Sequence, residues 1–293
     1  MKLALALVLV ATWAHAEQHP RATEVLVVKR AGVTAYEEVS EEFGERCRVR
    51  ARVISFADEK LDPSRISPNA LVVTIGQEAL DALTGGAGAH ARLIPTMAFF
   101  TGGLAGPPAT PHPELIFRVL TTARKDVQTI AAIYGPRADA TIEEARAAAT
   151  KMGLNLVAAR VSDGPGAVRA LHRLVDGPGR AHVQAIWLPG DTDVVTPQVF
   201  QYALRLQLEL GVPVAAATRQ QVHSGALLAV DFAPRAAGRA AADIANRILE
   251  GLDAAESREL EVRGGARITV NAQAARRLGA DTPSLSRMGA TIE

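Results

Sequence analysis

The stretch VQTIAAIYGPRADATIEEARAAATKMGLNLVAARV, residues 127–161, reads as a strand, a helix and a second strand. Residues 129–134 and 154–161 are nearly continuous apolar runs, which are typical of strands buried on both faces of a parallel sheet. Residues 142–152 carry apolar side chains at helical spacing, and Gly153 follows as a typical C-terminal cap. The stretch therefore predicts a βαβ unit.

The same alternation continues on both sides of this unit. Further strands are predicted at 25–28, 49–56, 71–75, 94–99, 185–188, 214–217 and 226–230, and one or two more within 260–270. Helices are predicted at 115–125, 168–174, 197–210, 236–249 and 272–278, with Gly211 and Gly251 as further caps. Repeated strand–helix–strand units predict an α/β fold of doubly wound parallel sheets with helices on both faces.

A segment rich in glycine and proline interrupts this pattern. It reads GGLAGPPATPHPE at residues 102–114 and has no helical or strand period. We interpret it as a crossover or loop, after which the alternation of strands and helices begins again. The region up to Phe117 then forms one lobe and the remainder a second, as a chain of this length also suggests at roughly 100–200 residues per domain.

The first residues have the layout of a secretory signal peptide. Lys2 supplies a positive charge, residues 3–12 are apolar, and Ala14-His15-Ala16 is a cleavage site of the A-x-A type. The apolar run is shorter than the roughly 20 residues of a membrane-spanning helix. We expect cleavage after Ala16 and a protein without a membrane span, with an uncleaved anchor as the alternative.

Charge and cysteine content narrow the classes of partner and fold. The chain has 32 basic and 31 acidic residues, so loss of Lys2 with the signal leaves a formally neutral protein. Neutrality argues against a nucleic-acid partner, because phosphate binding needs a basic surplus. The single cysteine, Cys47, excludes an internal disulfide, and a large packed core must therefore hold the protein together.

Polar or glycine-bearing turns follow the predicted strands, where open α/β sheets bind ligands. The candidate ligand-binding residues in these turns are Arg30, Gly76, Gln77, Thr101, Arg137, Asp191, Thr192, Thr218 and Arg219. Capping of the following helix is the alternative role for each of them. For at least one of Asp191 and Asp193, we expect capping of the helix that begins at 197.

Motifs of catalysis are missing from the sequence. It contains no G-x-S-x-G, H-E-x-x-H, C-x-x-C or P-loop pattern. The histidines are scattered without metal-ligand spacing, and Cys47 has no evident base to activate it. We therefore predict a protein that is not an enzyme and that needs no metal or cofactor.

A family resemblance rests on three segments: AIWLPGDTDVVTPQVF (185–200), GVPVAAATRQQVHSGALLAVDFAPRAAGRAAADIANRILEG (211–251) and ARITVNAQAARRLG (266–279). They resemble the ABC transporter substrate-binding family that includes tryptophan and tyrosine binders. The family's IYVP, IPVF, GALAS and VDY motifs correspond in order and spacing to residues 186–189, 212–216, 225–229 and 230–232. The likeness covers roughly residues 115–280.

The resemblance implies a type I periplasmic binding protein: two lobes, three chain crossings, and hinge closure around a ligand. The crossings would lie near Phe117, near Val230-Asp231 and near Glu261-Val262. Lobe 1 would then comprise 17–117 and about 232–261, and lobe 2 would comprise 118–231 and about 262–293. Family ligand positions also add Tyr134 and Asp231 to the candidate residues.

The first lobe departs from the family pattern and is predicted to be reduced. Residues 58–69 form a loop bearing proline and serine where the family has helical turns, and the family's TDP motif reads Thr101-Gly102-Gly103, without its acidic residue. The YNP turn reads Tyr134-Gly135-Pro136. These losses separate the site from those of amino-acid-binding relatives.

The implied function is delivery of a small ligand, polar or amino-acid-like, from the periplasm to an inner-membrane ABC permease. Arg30, Arg137 or Arg219 can meet a ligand carboxylate, and Asp191 or Asp231 an amino group. The alternative is a periplasmic sensor or scaffold of the same fold that is not coupled to an importer.

Overall fold

The computed structural model describes residues 24–57, 62–85, 92–177, 182–252 and 265–293. The predicted signal peptide and the residues predicted as strand at 260–264 lie outside these ranges. Within them, no helix combines the length and the apolar character needed to cross a membrane. The described chain forms two α/β lobes, each built around a largely parallel sheet, and this confirms the predicted fold class.

In the smaller lobe, the described part of the chain forms four parallel strands. Its elements are β1 (Glu24–Arg30), α1 (Thr34–Arg46), β2 (Arg52–Phe56), β3 (Ala70–Ile75), α2 (Gln77–Thr84) and β4 (Arg92–Thr96). The strand order is β2-β1-β3-β4. All residues of the central strand β3 are buried, because helices or loops cover both faces of the sheet. Burial on both faces explains the continuous apolar runs in the sequence.

The described residues of the larger lobe form seven strands. The chain from residue 113 onward forms α3 (Pro113–Ala123), β5 (Thr129–Tyr134), α4 (Asp139–Lys151), β6 (Asn155–Arg160), α5 (Gly164–Leu171), β7 (Ala185–Trp187), α6 (Pro197–Leu210), β8 (Val214–Ala216), α7 (Arg219–His223), β9 (Leu228–Phe232), α8 (Pro234–Leu249), β10 (Ala266–Val270), α9 (Ala272–Leu278), α10 (Thr282–Arg287) and β11 (Thr291–Ile292). The strand order is β11-β10-β9-β8-β7-β5-β6, with β10 antiparallel to β9. Helix α8 lies in this part of the chain but packs elsewhere.

Helices cover both faces of the larger sheet. One hydrophobic core contains side chains of α3, α4, α9 and α10, and the opposite core contains those of α5 and α6. This doubly wound arrangement leaves the carboxyl ends of β5, β7 and β8 at one edge of the sheet. Ligand sites of open α/β sheets form at such edges.

The chain crosses between the lobes three times. Residues 97–112, which we call the first crossing segment, lead from β4 to α3, and Ala233 separates β9 from α8. Helix α8 packs along α1 in the smaller lobe, where Gly238 allows close approach: a Cβ there would lie 2.6 Å from the carbonyl oxygen of Val39. The return from α8 to β10 is the third crossing, and part of it lies outside the described residues.

Some boundaries differ from the sequence-based expectations. Phe117, predicted as the end of the first lobe, lies in the core of the larger lobe, because the apolar face of α3 packs there. The strand predicted at 94–99 ends at Thr96, since Met97 turns the chain with φ +53°. Between β2 and β3 the described residues contain only a 3₁₀ turn, Pro63–Arg65, as the predicted reduction of this lobe requires.

Candidate functional site

A cavity of about 710 Å³ lies between the first crossing segment and the strand ends of the larger lobe. Its size is typical of small-molecule sites. The crossing segment supplies about half of the wall, and the rest comes from α3, α4, β7 and the turns after β5, β7 and β8. The lining residues are Phe99, Phe100, Thr101, Gly102, Gly103, Leu104, Ala105, Gly106, Pro108, Thr110, Pro111, His112, Pro113, Ile116, Arg137, Ala140, Thr141, Glu144, Trp187, Leu188, Pro189, Gly190 and Ala217.

The first crossing segment folds back on itself to form its wall. The N–H of Met97 donates to the carbonyl of Pro107 at 3.0 Å, and the N–H of Ala109 donates to that of Ala98 at 3.0 Å. Gly106 lies against the preceding strand, where a Cβ would sit 1.9 Å from the carbonyl oxygen of Pro95. The glycine and proline content of this segment therefore serves a defined fold that forms part of the cavity. In the amino-acid sequence, this segment is recognisable only as a boundary.

The crossing segment also packs directly on the turn after β7. A Cβ on Gly190 would lie 1.9 Å from the ring of Phe99, so only a glycine permits this contact. Behind the turn, Trp187 is 3% exposed, and its ring meets Phe117 edge-on with centroids 5.3 Å apart. Such T-shaped pairs are a favoured aromatic geometry. The cavity thus combines aromatic side chains from the crossing segment and from β7.

Arg137, on the turn after β5, lines the cavity and reaches the smaller lobe. Its two terminal nitrogens donate to the two carboxylate oxygens of Asp81 on α2, at 2.9 and 2.6 Å. Its guanidinium also lies 5.3 Å from the centre of the Phe100 ring and 3.7 Å from a carboxylate oxygen of Asp193. Bidentate arginine–carboxylate pairs are among the stronger hydrogen-bonded contacts.

Gln77 organises the Asp81 end of this pair. Its amide nitrogen donates to Asp81 at 2.8 Å and to the carbonyl of Phe100 at 3.2 Å, while its amide oxygen accepts from the Phe100 N–H at 3.0 Å. Burial acts to raise the pKa of Asp81, but hydrogen bonds from Arg137 and Gln77 outweigh burial and hold the pKa below its ordinary value. Asp81 is therefore a charged, oriented partner of Arg137.

Asp191 joins two turns of the larger lobe from a fully buried position. Its carboxylate accepts from the Gly135 N–H at 2.7 Å and from the Asp193 N–H at 3.2 Å. The capping role expected for Asp191 or Asp193 is wrong: Thr196 caps α6, accepting from the Val199 N–H. Thr196 takes the cap because it directly precedes Pro197, the first helical residue.

Most of the other candidate residues have partners inside the protein and do not line the cavity. Arg30 is held by Glu78 at 2.9 and 2.8 Å, and Asp231 is held by Arg267 through two bonds of 2.9 Å. Arg219 donates to Glu293 at 2.5 and 3.1 Å. These ion pairs occupy the charges that the sequence offered to a ligand.

The remaining candidates divide into two groups. Thr101 lines the cavity with Arg137. Thr218 caps α7 in a capping box with Gln221, Tyr134 is buried at the end of β5, and Thr192 is exposed in its turn. Gly76 has φ +87° and lies under the hydroxyl of Tyr36, a conformation and a contact that suit glycine alone. Gln77 does not line the cavity, but it hydrogen-bonds Asp81, the partner of Arg137.

The structure also places residues in the wall that the sequence analysis did not select. They are the aromatic and aliphatic residues of the crossing segment together with Ala140, Thr141 and Glu144 of α4. The only signal for them was the turn that precedes α4. In the described ranges, no group of three or more His, Cys, Asp or Glu is placed to hold a metal ion. Burial raises the pKa of the Cys47 thiol, so it is a weak nucleophile.

Comparison with solved structures supports the fold. A conserved domain protein from Vibrio cholerae is similar over 93% of this chain and 100% of its own, with 17% identity and a TM-score of 0.64. An ABC domain in complex with L-Trp from Streptococcus pneumonia is similar over 92% of this chain and 99% of its own, with 18% identity and a TM-score of 0.63. A ligand-free, open substrate-binding protein with adhesive properties from Clostridium difficile is similar over 92% of this chain and 98% of its own, with 15% identity and a TM-score of 0.65.

At these identities the structural likeness establishes the fold alone. No curated protein sequence matches this one. The family model described as ABC transporter substrate binding protein matches residues 109–287, well over half of the chain. The chain belongs to the ABC transporter substrate binding protein family.

Proposed function

We propose that this protein is the solute-binding component of an ABC importer, which captures a small molecule in the cavity beside the first crossing segment. Family membership supports this function, and the cavity is the observation that carries it. One part of the cavity wall is the first crossing segment, which connects the two lobes. The other part includes the strand-end turns of the larger lobe. A change in the angle between the lobes therefore alters the wall that a ligand touches.

Hinge closure is the proposed mechanism of capture. The chain passes between lobes at residues 97–112 and again at Ala233, and backbone rotation at a few such positions closes two-lobed binding proteins. Two contacts support a closed form: Asp81 with Arg137, and Phe99 with Gly190. Both join parts of the chain that move relative to each other when the hinge opens.

The proposed ligand is a small polar or amino-acid-like molecule, as the family resemblance implies. The neighbour from Streptococcus pneumonia was solved with L-Trp, which fits that class. We further propose export to the periplasm, removal of residues 1–16, and an inner-membrane ABC permease as the partner. Members of this family are binding proteins, and we propose binding without catalysis.

A second candidate function is a periplasmic sensor or scaffold that is not coupled to import. The observation that favours it is the small first lobe, in which the described residues between β2 and β3 form only one 3₁₀ turn. Strand β2 is also the exposed edge of its sheet, with Val53 48% exposed. A lobe of reduced surface offers less area for a permease.

Ligand screening of the exported protein tests both functions. Trp13 leaves with the signal, so Trp187 is the single tryptophan of the mature chain, and it reports directly on the cavity. Amino acids, small carboxylates, purines and sugars are screened by thermal shift, and hits are followed by Trp187 fluorescence. A ligand at a hundred times its Kd raises the apparent stability by roughly 2.7 kcal/mol.

A matched pair of variants ties a hit to the cavity. Ala140 is exposed on α4 and lines the cavity, so Ala140→Phe should fill it and abolish binding. Ala147 is exposed on the same helix away from the cavity, and Ala147→Phe should leave binding intact. Saturable binding that is lost in the first variant alone supports the receptor. Failure of well-folded, ligand-free protein to bind any compound favours the scaffold.

A further inference from the structure

We propose that the cavity accepts an uncharged, largely apolar molecule and discriminates against carboxylates, because Arg137, the one arginine in the described part of its wall, is already engaged by Asp81. This inference rests on the proposed binding function and changes the class of ligand, not the function. It departs from the amino-acid-like ligand that the family resemblance implies. Four features of the described residues support it.

The first feature is the shortage of cations in the wall. Among the described residues that line the cavity, Arg137 is the only Lys or Arg. His112 is the N-cap of α3, and its Nδ1 accepts a hydrogen bond from the Glu114 N–H at 3.2 Å. The other arginines that the sequence offered to a carboxylate, Arg30 and Arg219, are paired with Glu78 and Glu293 outside the cavity.

The second feature is the engagement of Arg137 itself. Two of its nitrogens donate to Asp81, and its guanidinium plane also contacts the Phe100 ring. Gln77 hydrogen-bonds both Asp81 and the backbone of Phe100. These bonds hold the Arg137–Asp81 pair in place. If a ligand carboxylate replaced Asp81 on Arg137, the Asp81 carboxylate would lose its cation. The exchange therefore yields little net affinity.

The third feature is the charge around Arg137. Asp81 bonds it, Asp193 lies 3.7 Å away, and Asp191 also acts on it electrostatically from its buried position. Glu144 adds a further carboxylate to the wall. With three carboxylates near one guanidinium, and a fourth on the wall, an approaching anion meets net repulsion at short range.

The fourth feature is the chemistry of the remaining wall. Phe99, Phe100 and Leu104 supply apolar surface together with several prolines. Ile116, Trp187 and Leu188 lie behind that surface as buried apolar side chains. Apart from Arg137, His112 and Glu144, the polar side chains beside them are three threonines, at positions 101, 110 and 141. Such a surface suits an apolar ring with neutral hydrogen-bonding substituents. Hydroxyl and amide groups bond to threonine without bringing a charge out of water.

A matched pair of probes tests the charge preference at constant shape. Indole-3-acetamide and indole-3-acetate differ in charge but hardly in size, and phenylacetamide and phenylacetate repeat the comparison on a smaller ring. Their Kd values are measured by calorimetry on the exported protein at pH 7. We expect each amide to bind at least tenfold more tightly than its acid. L-tryptophan should be weaker than indole-3-acetamide.

The Asp81→Asn variant tests the cause of that preference. It leaves Arg137 without its carboxylate partner, so the ratio of acid to amide affinity should rise at least tenfold. The ratio cancels any effect of the variant on lobe closure. Asp139→Asn is the control, since Asp139 makes a bidentate pair with Arg160 inside the larger lobe. That variant should leave the ratio unchanged.

Three outcomes would overturn the inference. Wild-type protein that prefers the acids or L-tryptophan would contradict it directly. An unchanged ratio in Asp81→Asn would show that Asp81 is not the cause. If the protein binds none of these probes but binds another compound in the wide screen, the proposed class of ligand is wrong and the receptor function stands. Silence in both experiments would contradict the proposed function as well.

Discussion

Arg137 and Asp81 form a bidentate ion pair between the lobes, 56 positions apart in sequence, with N–O distances of 2.9 and 2.6 Å. Gln77 holds the carboxylate, and Phe100 lies against the guanidinium. The pair therefore links α2 in the smaller lobe to the turn after β5 and to the first crossing segment. All three parts meet beside the cavity.

Loss of this pair should open the lobes. In Asp81→Asn, Arg137 keeps at most one weaker bond to the smaller lobe, and the ligand-free protein should have a larger radius of gyration in small-angle X-ray scattering. Asp139→Asn removes an equivalent pair within one lobe and should leave the radius unchanged. Global stability should change little in either variant, because exposed ion pairs contribute little. Equal radii in all three proteins would exclude the pair as a link.

Close packing of α1 on α8 predicts opposite effects of two glycine substitutions. A Cβ at Gly238 would lie 2.6 Å from the Val39 carbonyl oxygen, so Gly238→Ala should lower the free energy of unfolding by about 1–3 kcal/mol. Gly44 is exposed in α1 with nothing within 4 Å of such a Cβ. Gly44→Ala should raise stability by about 0.5–1 kcal/mol. Urea unfolding measures both, and a neutral Gly238→Ala would contradict the packing.

Asp231 should act in stability rather than in ligand binding. It faces Arg267 on the paired strand and is joined to it by two bonds of 2.9 Å, away from the cavity. Asp231→Asn should lower the free energy of unfolding by about 1–3 kcal/mol and leave ligand affinity within about twofold. Addition of Arg267→Met should then cost much less than it does alone. Lost affinity with unchanged stability would restore Asp231 to the site.

Glu42 predicts a dependence of stability on acid pH. Its side chain is buried on α1; burial acts to raise its pKa, but hydrogen bonds from Arg235 and Arg239 outweigh burial and hold the pKa below its ordinary value of 4.5. Because the folded pKa is the lower one, the stabilisation is complete above about pH 4.5 and is lost as pH falls through the folded pKa.

Glu42→Gln should therefore be less stable than wild type at pH 7, with a difference that shrinks as the pH falls below 4.5. Urea midpoints at pH 7, 5, 4 and 3 measure it. Glu45→Gln removes a charge from the exposed side of the same helix and should cost much less at pH 7. A constant difference between wild type and Glu42→Gln at every pH would contradict the ion-pair origin.

Local sequence patterns predicted most of the secondary structure. The strand at 129–134 and the helices at 197–210 and 272–278 have their predicted bounds. Each lies in a run whose apolar period, caps and glycines all agree, so no distant contact has to choose between alternatives. The prediction of a strand at 94–99 was wrong at its end, because the turn at Met97 depends on a hydrogen bond to Pro107, ten residues further on.

The residues of the candidate site were harder to predict from the sequence than the secondary structure. Thr101 and Arg137 line the cavity, but Arg30, Arg219 and Asp231 bind charges elsewhere in the protein. A charged residue at the end of a strand looks the same in sequence whether its partner is a ligand or another side chain. The segment at 102–114 has no period, so its contribution to the cavity wall left no pattern to detect.

The sequence by itself determined the fold class, the family and the reduced first lobe. These follow from apolar periods, caps and short motifs, which act over a few neighbouring residues. The tertiary structure alone decided which charges are neutralised within the protein and which remain for a ligand. That decision depends on pairs such as Arg137 with Asp81 and Asp231 with Arg267, which only folding brings within hydrogen-bonding distance.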